Sequence, residues 1–152
     1  MTAVPGQEAT PRPPSLLTLA IDCSTSALAL ALVGPGTAGA AVTTLASSAQ
    51  EVGRQHAALL TVHLADLFAR AGVGRGSVGR VHVGIGPGSY TGVRVAVAAA
   101  KGLSRAWGVE VVGVYSLLAQ AGDALAVGAE VVVTRDARRG NVYAQPCMRL
   151  DD

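Results

Sequence analysis

The sequence predicts a mixed α/β fold in which three antiparallel strands lead into alternating strands and helices. Three observations carry that expectation. At 81–107 a β-branched run (Val81, Val83, Ile85) ends in a turn holding Gly86, Pro87, Gly88 and Gly92, and a long small-residue segment follows. That is the pattern of strand, glycine-rich loop and helix. Upstream, apolar runs at 16–21 and 27–33 flank a small polar turn at 23–26, and strands joined by short links favour an antiparallel meander. Between them and the glycine loop, apolar residues recur at helical spacing over 51–71.

The elements follow in order. Residues 1–15 hold Pro5, Pro11, Pro13 and Pro14 and no apolar stretch, so they read as a disordered leader rather than a signal peptide. LLTLAI at 16–21 suits a central strand buried on both faces and ends at Asp22. The strand at 27–33 is broken by Gly34-Pro35-Gly36, and 40–46 offers a weaker third. In the helix expected at 51–71, Leu60, Leu64, Leu67, Phe68 and Ala71 form a core-facing stripe. Ala58, Val62, Ala65 and Ala69 form a second one. A surface helix needs one stripe; the other packs inside the monomer or meets another chain, and the helix alone leaves both open.

After the loop, Ser89 or Thr91 can cap the next helix. Its Ala96, Ala99, Ala100, Leu103 and Trp107 share one face, and Val93, Val97 and Ser104 share another. Gly102 in its interior costs about 1 kcal/mol relative to alanine, which a closely pressed neighbour would explain. A strand at 109–114, a helix from an N-cap at Ser116 to Ala126, and strands at 130–134 and 142–145 around a turn at 136–141 complete the chain. Three antiparallel strands followed by βα units is the topology of the ribonuclease H-like fold. The final hairpin then reads as the opening of a second lobe, giving a leader at 1–15, a first lobe at 16–128 and an incomplete second lobe at 129–152.

Composition excludes several classes. The 152 residues are 50% hydrophobic but only 3% aromatic, with a net charge of +2. That charge is too small to imply a nucleic-acid surface on its own. Cys23 and Cys147 form no C-x-x-C and read as reduced thiols. No run reaches the ~18 apolar residues of a membrane span, so a cytoplasmic protein is expected.

The chemistry-bearing motifs mostly exclude. Gly92 is followed by Val93 and Arg94, so the P-loop pattern G-x-x-x-x-G-K-S/T fails, and G-x-G-x-x-G fails from both Gly84 and Gly86. Asp22, at the carboxyl end of the first strand, could with Ser24, Thr25 and Ser26 hold a metal-bridged phosphate. The plainer reading is a carboxylate bonding its own turn. His56 and His63 stand seven apart, not four, and His82 alternates with apolar neighbours, so no metal site is expected. Gly88-Ser89-Tyr90 lacks the spacing of a nucleophile elbow, and no catalytic pair is named.

Four segments resemble one family in order. GIGPGSYTGVRVAVAAAKGLSRAW is similar to the GPGSFTGLRIGLATAKGLA signature of TsaB (YeaZ) proteins. LAIDCSTSALALAL resembles their IDTST opening, QHAALLTVHLADLFARAG their first helix, and TRDARRGNVYAQ their DARRGEVY hairpin. The resemblance implies an actin-like, sugar-kinase-like fold of two ribonuclease H-like lobes, here truncated in the second. It implies a non-catalytic accessory role in making N6-threonylcarbamoyladenosine in ANN-decoding tRNAs. The implied partners are the catalytic subunit TsaD and the ATPase TsaE, with a homodimer through the same first-lobe helices. ATP is then used by the complex, tRNA is met only through it, and this chain holds no cofactor. The implied contacts lie on 51–71 and 93–107, and His56, Leu60, Val62, Val97, Lys101 and Ser104 are singled out. Asp22, Ser24, Thr25, Gly88 and Ser89 would be a vestigial phosphate site. The H-x-x-x-H metal motif of TsaD is not found in this sequence. Alternatives are an ATP-dependent phosphotransferase or hydrolase fragment using Asp22 and Ser24, and a glycoprotease-like metallopeptidase.

Overall fold

The computed structural model describes residues 17–35, 42–122 and 126–149; the expected leader, Leu16, Ala40, Ala41 and residues 123–125 of the expected third helix lie outside them, and that helix ends at Ala121, short of the expected Ala126. Strands β1 (Leu17–Asp22), β2 (Ala27–Pro35) and β3 (Val42–Glu51) form an antiparallel meander. Helix α1 (His56–Ala71) leads into β4 (Val78–Gly84), α2 (Tyr90–Trp107), β5 (Glu110–Val114) and α3 (Ser116–Ala121). The five strands make one sheet in the order β3-β2-β1-β4-β5, with β4 parallel to both β1 and β5. This is the ribonuclease H-like topology that the element order predicts, and it fits the lobe of an actin-like fold that the resemblance implies. Strands β6 (Glu130–Arg138) and β7 (Asn141–Met148) form a separate hairpin against α3.

Alternation along the strands decides which face is core. In β2, Leu28, Leu30 and Leu32 are buried while Ala27, Ala29 and Ala31 are not, and the registers align Leu32 with Leu19 and Leu19 with Val81. The buried row faces α1 and α2, whose Leu60, Leu64, Leu67, Ala96 and Ala100 complete the core. Phe68 and Trp107 meet edge to face across the two helices, centroids 5.9 Å apart. Larger aliphatics gain more on burial than alanine does. The leucine stripe of α1 therefore turns inward and the Ala58/Val62/Ala65/Ala69 stripe outward, where all four residues are exposed.

Several boundaries differ from expectation. The third strand runs to Glu51, and the helix begins at His56, not residue 51. Residues Val42 to Glu51 pair along the whole of β2, and that ladder overrides the helix preference of Gln50 and Glu51. Arg70 of α1 reaches the strand as well, its Nη1 donating to the Ser47 carbonyl at 3.1 Å. The hairpin loop is tighter than 136–141: β6 extends to Arg138, which pairs with Asn141. Ser116 is not a cap, because Tyr115 holds that position without a side-chain bond and the Ser116 hydroxyl points inward. Gly102 is exposed, and among the described residues nothing lies within 4 Å of a side chain added there, so no described neighbour explains it.

Candidate functional site

The glycine loop and the β1–β2 turn are interlocked. A methyl group on Gly84 would meet the Asp22 carboxylate, one on Gly88 the Ser24 carbonyl, and one on Gly92 the Cys23 carbonyl. The three glycines, four apart, thus let the loop and the start of α2 lie directly on the turn. Hydrogen bonds fix this contact. The Ser89 N–H donates to the Ser24 carbonyl at 2.7 Å, and Ser89 caps α2 by accepting from the Gly92 N–H at 3.2 Å. Asp22 accepts from the Ser24 N–H at 2.6 Å and from the Ser116 hydroxyl at 2.5 Å. Ser116 Oγ in turn accepts from the Gly86 N–H at 3.1 Å. Asp22 is therefore a strut between three segments.

The five residues expected to form a vestigial phosphate site do come together, but their polar groups are engaged. Ser24 is buried and accepts from Arg135 at 2.8 Å. Thr25 Oγ1 accepts from the Ala27 N–H at 3.1 Å. Gly88 is packed on the turn and Ser89 is the helix cap. Sequence reasoning missed Ser116 and Arg135, since nothing local signals a bond to a residue 94 or 111 positions away.

Beside the interlock, a cleft of about 980 Å³ opens between the start of α2, the residues before α1 and the hairpin. Arg54, Arg135, Arg138, Tyr90 and Tyr143 line it, with Asp136. Arg135 Nη1 also donates to the Pro87 carbonyl at 2.6 Å, which ties the hairpin to the glycine loop.

The six residues singled out for partner contact separate. Val62 is 63% exposed, and Lys101 is exposed on α2. His56 and Leu60 are 5% and 6% exposed, with His56 Nε2 3.3 Å from the Ala27 carbonyl oxygen. Both face the sheet, so neither is offered to a partner: the stripe that carries them is the inward one. Val97 is half-buried against the core, and the half-buried Ser104 donates its hydroxyl to the Val109 carbonyl at 2.5 Å. Among the described residues no three His, Cys, Asp or Glu side chains gather as a metal cage, and no helix is long and apolar enough to cross a membrane. His82 is half-buried on the sheet face opposite the helices, and burial, then Arg80, lowers its pKa against the raising effect of Glu110.

Cys23 and Cys147 are free and buried. Burial pushes the Cys23 thiol up to about 12 from 9.0, with the neighbouring Asp22 charge adding to the shift. Below pH 9.0 the thiol is protonated in both folded and unfolded chains; above it the unfolded chain releases that proton first. Stability is therefore lost as pH rises from 9.0 toward about 12. Cys23→Ala is expected to flatten this alkaline limb in urea titrations; parallel curves for the two proteins would count against the assignment.

The sheet order and the interlocked loops define an actin-like, ribonuclease H-like lobe, and comparison with known proteins narrows the class. The family model described as "TsaD: tRNA N6-adenosine threonylcarbamoyltransferase" matches residues 44–150. The chain is 34% identical over 137 residues to the tRNA threonylcarbamoyladenosine biosynthesis protein TsaB of Haemophilus influenzae, covering 89% of this chain and 55% of that protein. It is 31% identical to the Escherichia coli protein of the same name, covering 82% and 52%. YeaZ from Pseudomonas aeruginosa superposes with a TM-score of 0.71 at 33% identity, covering 86% of this chain and 59% of that one. The chain belongs to the TsaB (YeaZ) family. It spans about half the length of these two TsaB proteins.

Proposed function

We propose that this chain is a non-catalytic subunit in the synthesis of N6-threonylcarbamoyladenosine on tRNA, pairing with a TsaD-type catalytic subunit in the cytoplasm. The names of its relatives support the pathway. The observation that carries the role is the outward face of the helix pair. Ala58, Val62, Ala65 and Ala69 on α1 are exposed, as are Ala98, Lys101 and Gly102 on α2, and Gly102 has open space above it. Small residues let another helix approach closely, and the glycine that costs α2 about 1 kcal/mol in propensity is accounted for by such an approach. A second copy of the chain can use the same face, and a TsaE-type ATPase joins the pair. ATP and tRNA belong to the assembly.

The test is co-purification with a TsaD protein. Val62→Asp combined with Lys101→Glu is expected to abolish it while leaving the melting temperature of the isolated chain within a few degrees, since both side chains are in solvent. Undiminished co-purification of the double variant would move the interface elsewhere. Leu60 is unsuited to this test, because a charge there would unfold the core.

A further inference from the structure

We infer that the arginine-lined cleft between the hairpin tip and the start of α2 contacts the phosphate backbone of an RNA strand, so that RNA in the assembly touches this chain itself. The choice of RNA among polyanions rests on the function proposed above; the phosphate chemistry rests on the cleft. Arg54, Arg135 and Arg138 line it, and Arg139 adjoins it at the hairpin tip. Arg94 adds a cation at the rim, its guanidinium 5.3 Å from the centre of the Tyr90 ring. Five of the eleven arginines of the sequence thus converge at one end of the lobe. Among the described residues the salt bridges are Arg70–Asp66 and Arg80–Glu110, so none of these five is neutralised by a carboxylate. Asp136 is the acid in the lining, and its Oδ1 accepts from the Arg138 N–H at 2.6 Å.

Arg135 is also held in place. The Arg135 hydrogen bonds to Ser24 and Pro87 both use Nη1, and a guanidinium has further donors on its other nitrogens. Arg138 and Arg139 sit at φ 68° and 54°, a left-handed conformation that non-glycine residues seldom adopt. The chain keeps two consecutive arginines there and presents both to solvent.

Two features favour a strand over a small nucleotide. The inner groups that could cradle a single phosphate (Asp22, Ser24, Thr25, Ser89) are already bonded within the protein, whereas the unpaired cations are spread along the mouth. Tyr90 is 75% exposed and Tyr143 39% exposed beside those cations, and exposed rings among arginines are platforms on which unpaired bases stack.

Fluorescence anisotropy of the full chain with a fluorescein-labelled RNA anticodon stem-loop, over a salt series, tests this. Saturable binding is expected at low salt, weakening as salt rises. The triple variant Arg54→Ala, Arg138→Asn, Arg139→Asn, with asparagine chosen because it tolerates the left-handed conformation, is expected to bind roughly tenfold more weakly. Its log–log salt slope should be shallower by about 2, from about 0.7 per lost phosphate contact. An unchanged melting temperature would show that folding is not the cause. No binding at about 100 μM protein, or equal affinity and slope for the variant, would overturn the inference. So would magnesium-ATP or inorganic triphosphate binding more tightly than the RNA, which would make the cleft a small-molecule site. Co-purification reads a different surface. Failure of the wild-type chain to bind RNA while it still co-purifies with TsaD sinks the cleft alone, and RNA binding without co-purification sinks the subunit reading alone.

Discussion

Gly92→Ala will destabilise the fold by about 3 kcal/mol, toward the upper end of what a single overpacked position costs. The added methyl group would collide with the Cys23 carbonyl oxygen, and the nearest atoms are backbone. A long side chain could swing away; a peptide carbonyl at the end of β1 cannot, because β1 is held between β2 and β4. Relief would require sliding α2 off the turn. That movement would strain the Ser89–Ser24 and Gly92–Ser89 hydrogen bonds and open the packing of Ala96, which is fully buried one turn further on. The same helix supplies a control. Gly102→Ala meets nothing within 4 Å and should gain up to about 1 kcal/mol from propensity. Urea midpoints at constant m-value measure both. Wild-type stability for Gly92→Ala would mean that the loop and the turn do not touch as described.

That contrast also shows what the sequence could and could not reveal. The strand, loop and helix at 81–107 were legible because each has a local cause: β-branched residues, a Gly/Pro turn, a run of alanines and a serine cap. The two stripes of α1 were legible as stripes. Leu60 reads both as part of the core-facing stripe and, with His56, as a partner contact; the preference for burying leucine over alanine keeps Leu60 inward, and His56, one turn before it, is buried with it. Strand β3 was under-read because Ser47, Ser48, Gln50 and Glu51 carry no apolar alternation; at an exposed edge there is no second face to bury, and only pairing with β2 makes the segment a strand. The site was least legible of all. The plainer reading of Asp22, a carboxylate bonding its own turn, holds at the Ser24 N–H, but the further ties of Asp22 to Ser116 and of Ser24 to Arg135 are brought in by tertiary folding and carry no local signal. A lone sequence shows which residues have chemistry to offer, not which partner takes it up.

Ser116→Ala, removing one oxygen, should lower stability by about 2–3 kcal/mol, far more than a serine substitution on the surface. Ser116 is 1% exposed. Its hydroxyl donates to Asp22 at 2.5 Å and accepts from the Gly86 N–H at 3.1 Å. Alanine leaves that N–H without a partner away from water and takes a donor from a carboxylate, and bonds to charged groups are the stronger kind. Asp22→Asn makes the comparison informative. The amide keeps one oxygen for the Ser24 N–H, so its cost should be smaller, about 1 kcal/mol. Because the two side chains touch, the double variant should depart from additivity by 0.5 kcal/mol or more, on the order of what contacting pairs show. The outcome separates the structural role from the phosphotransferase alternative. If Asp22 were there to activate a reacting group, Asp22→Asn would spare stability and remove a magnesium-ATP-dependent activity, and Ser116 would show no coupling to it. If it is a strut, calorimetric titration of the wild type with magnesium-ATP gives no micromolar binding for Asp22→Asn to abolish, and the energetic coupling to Ser116 is the whole of its signature.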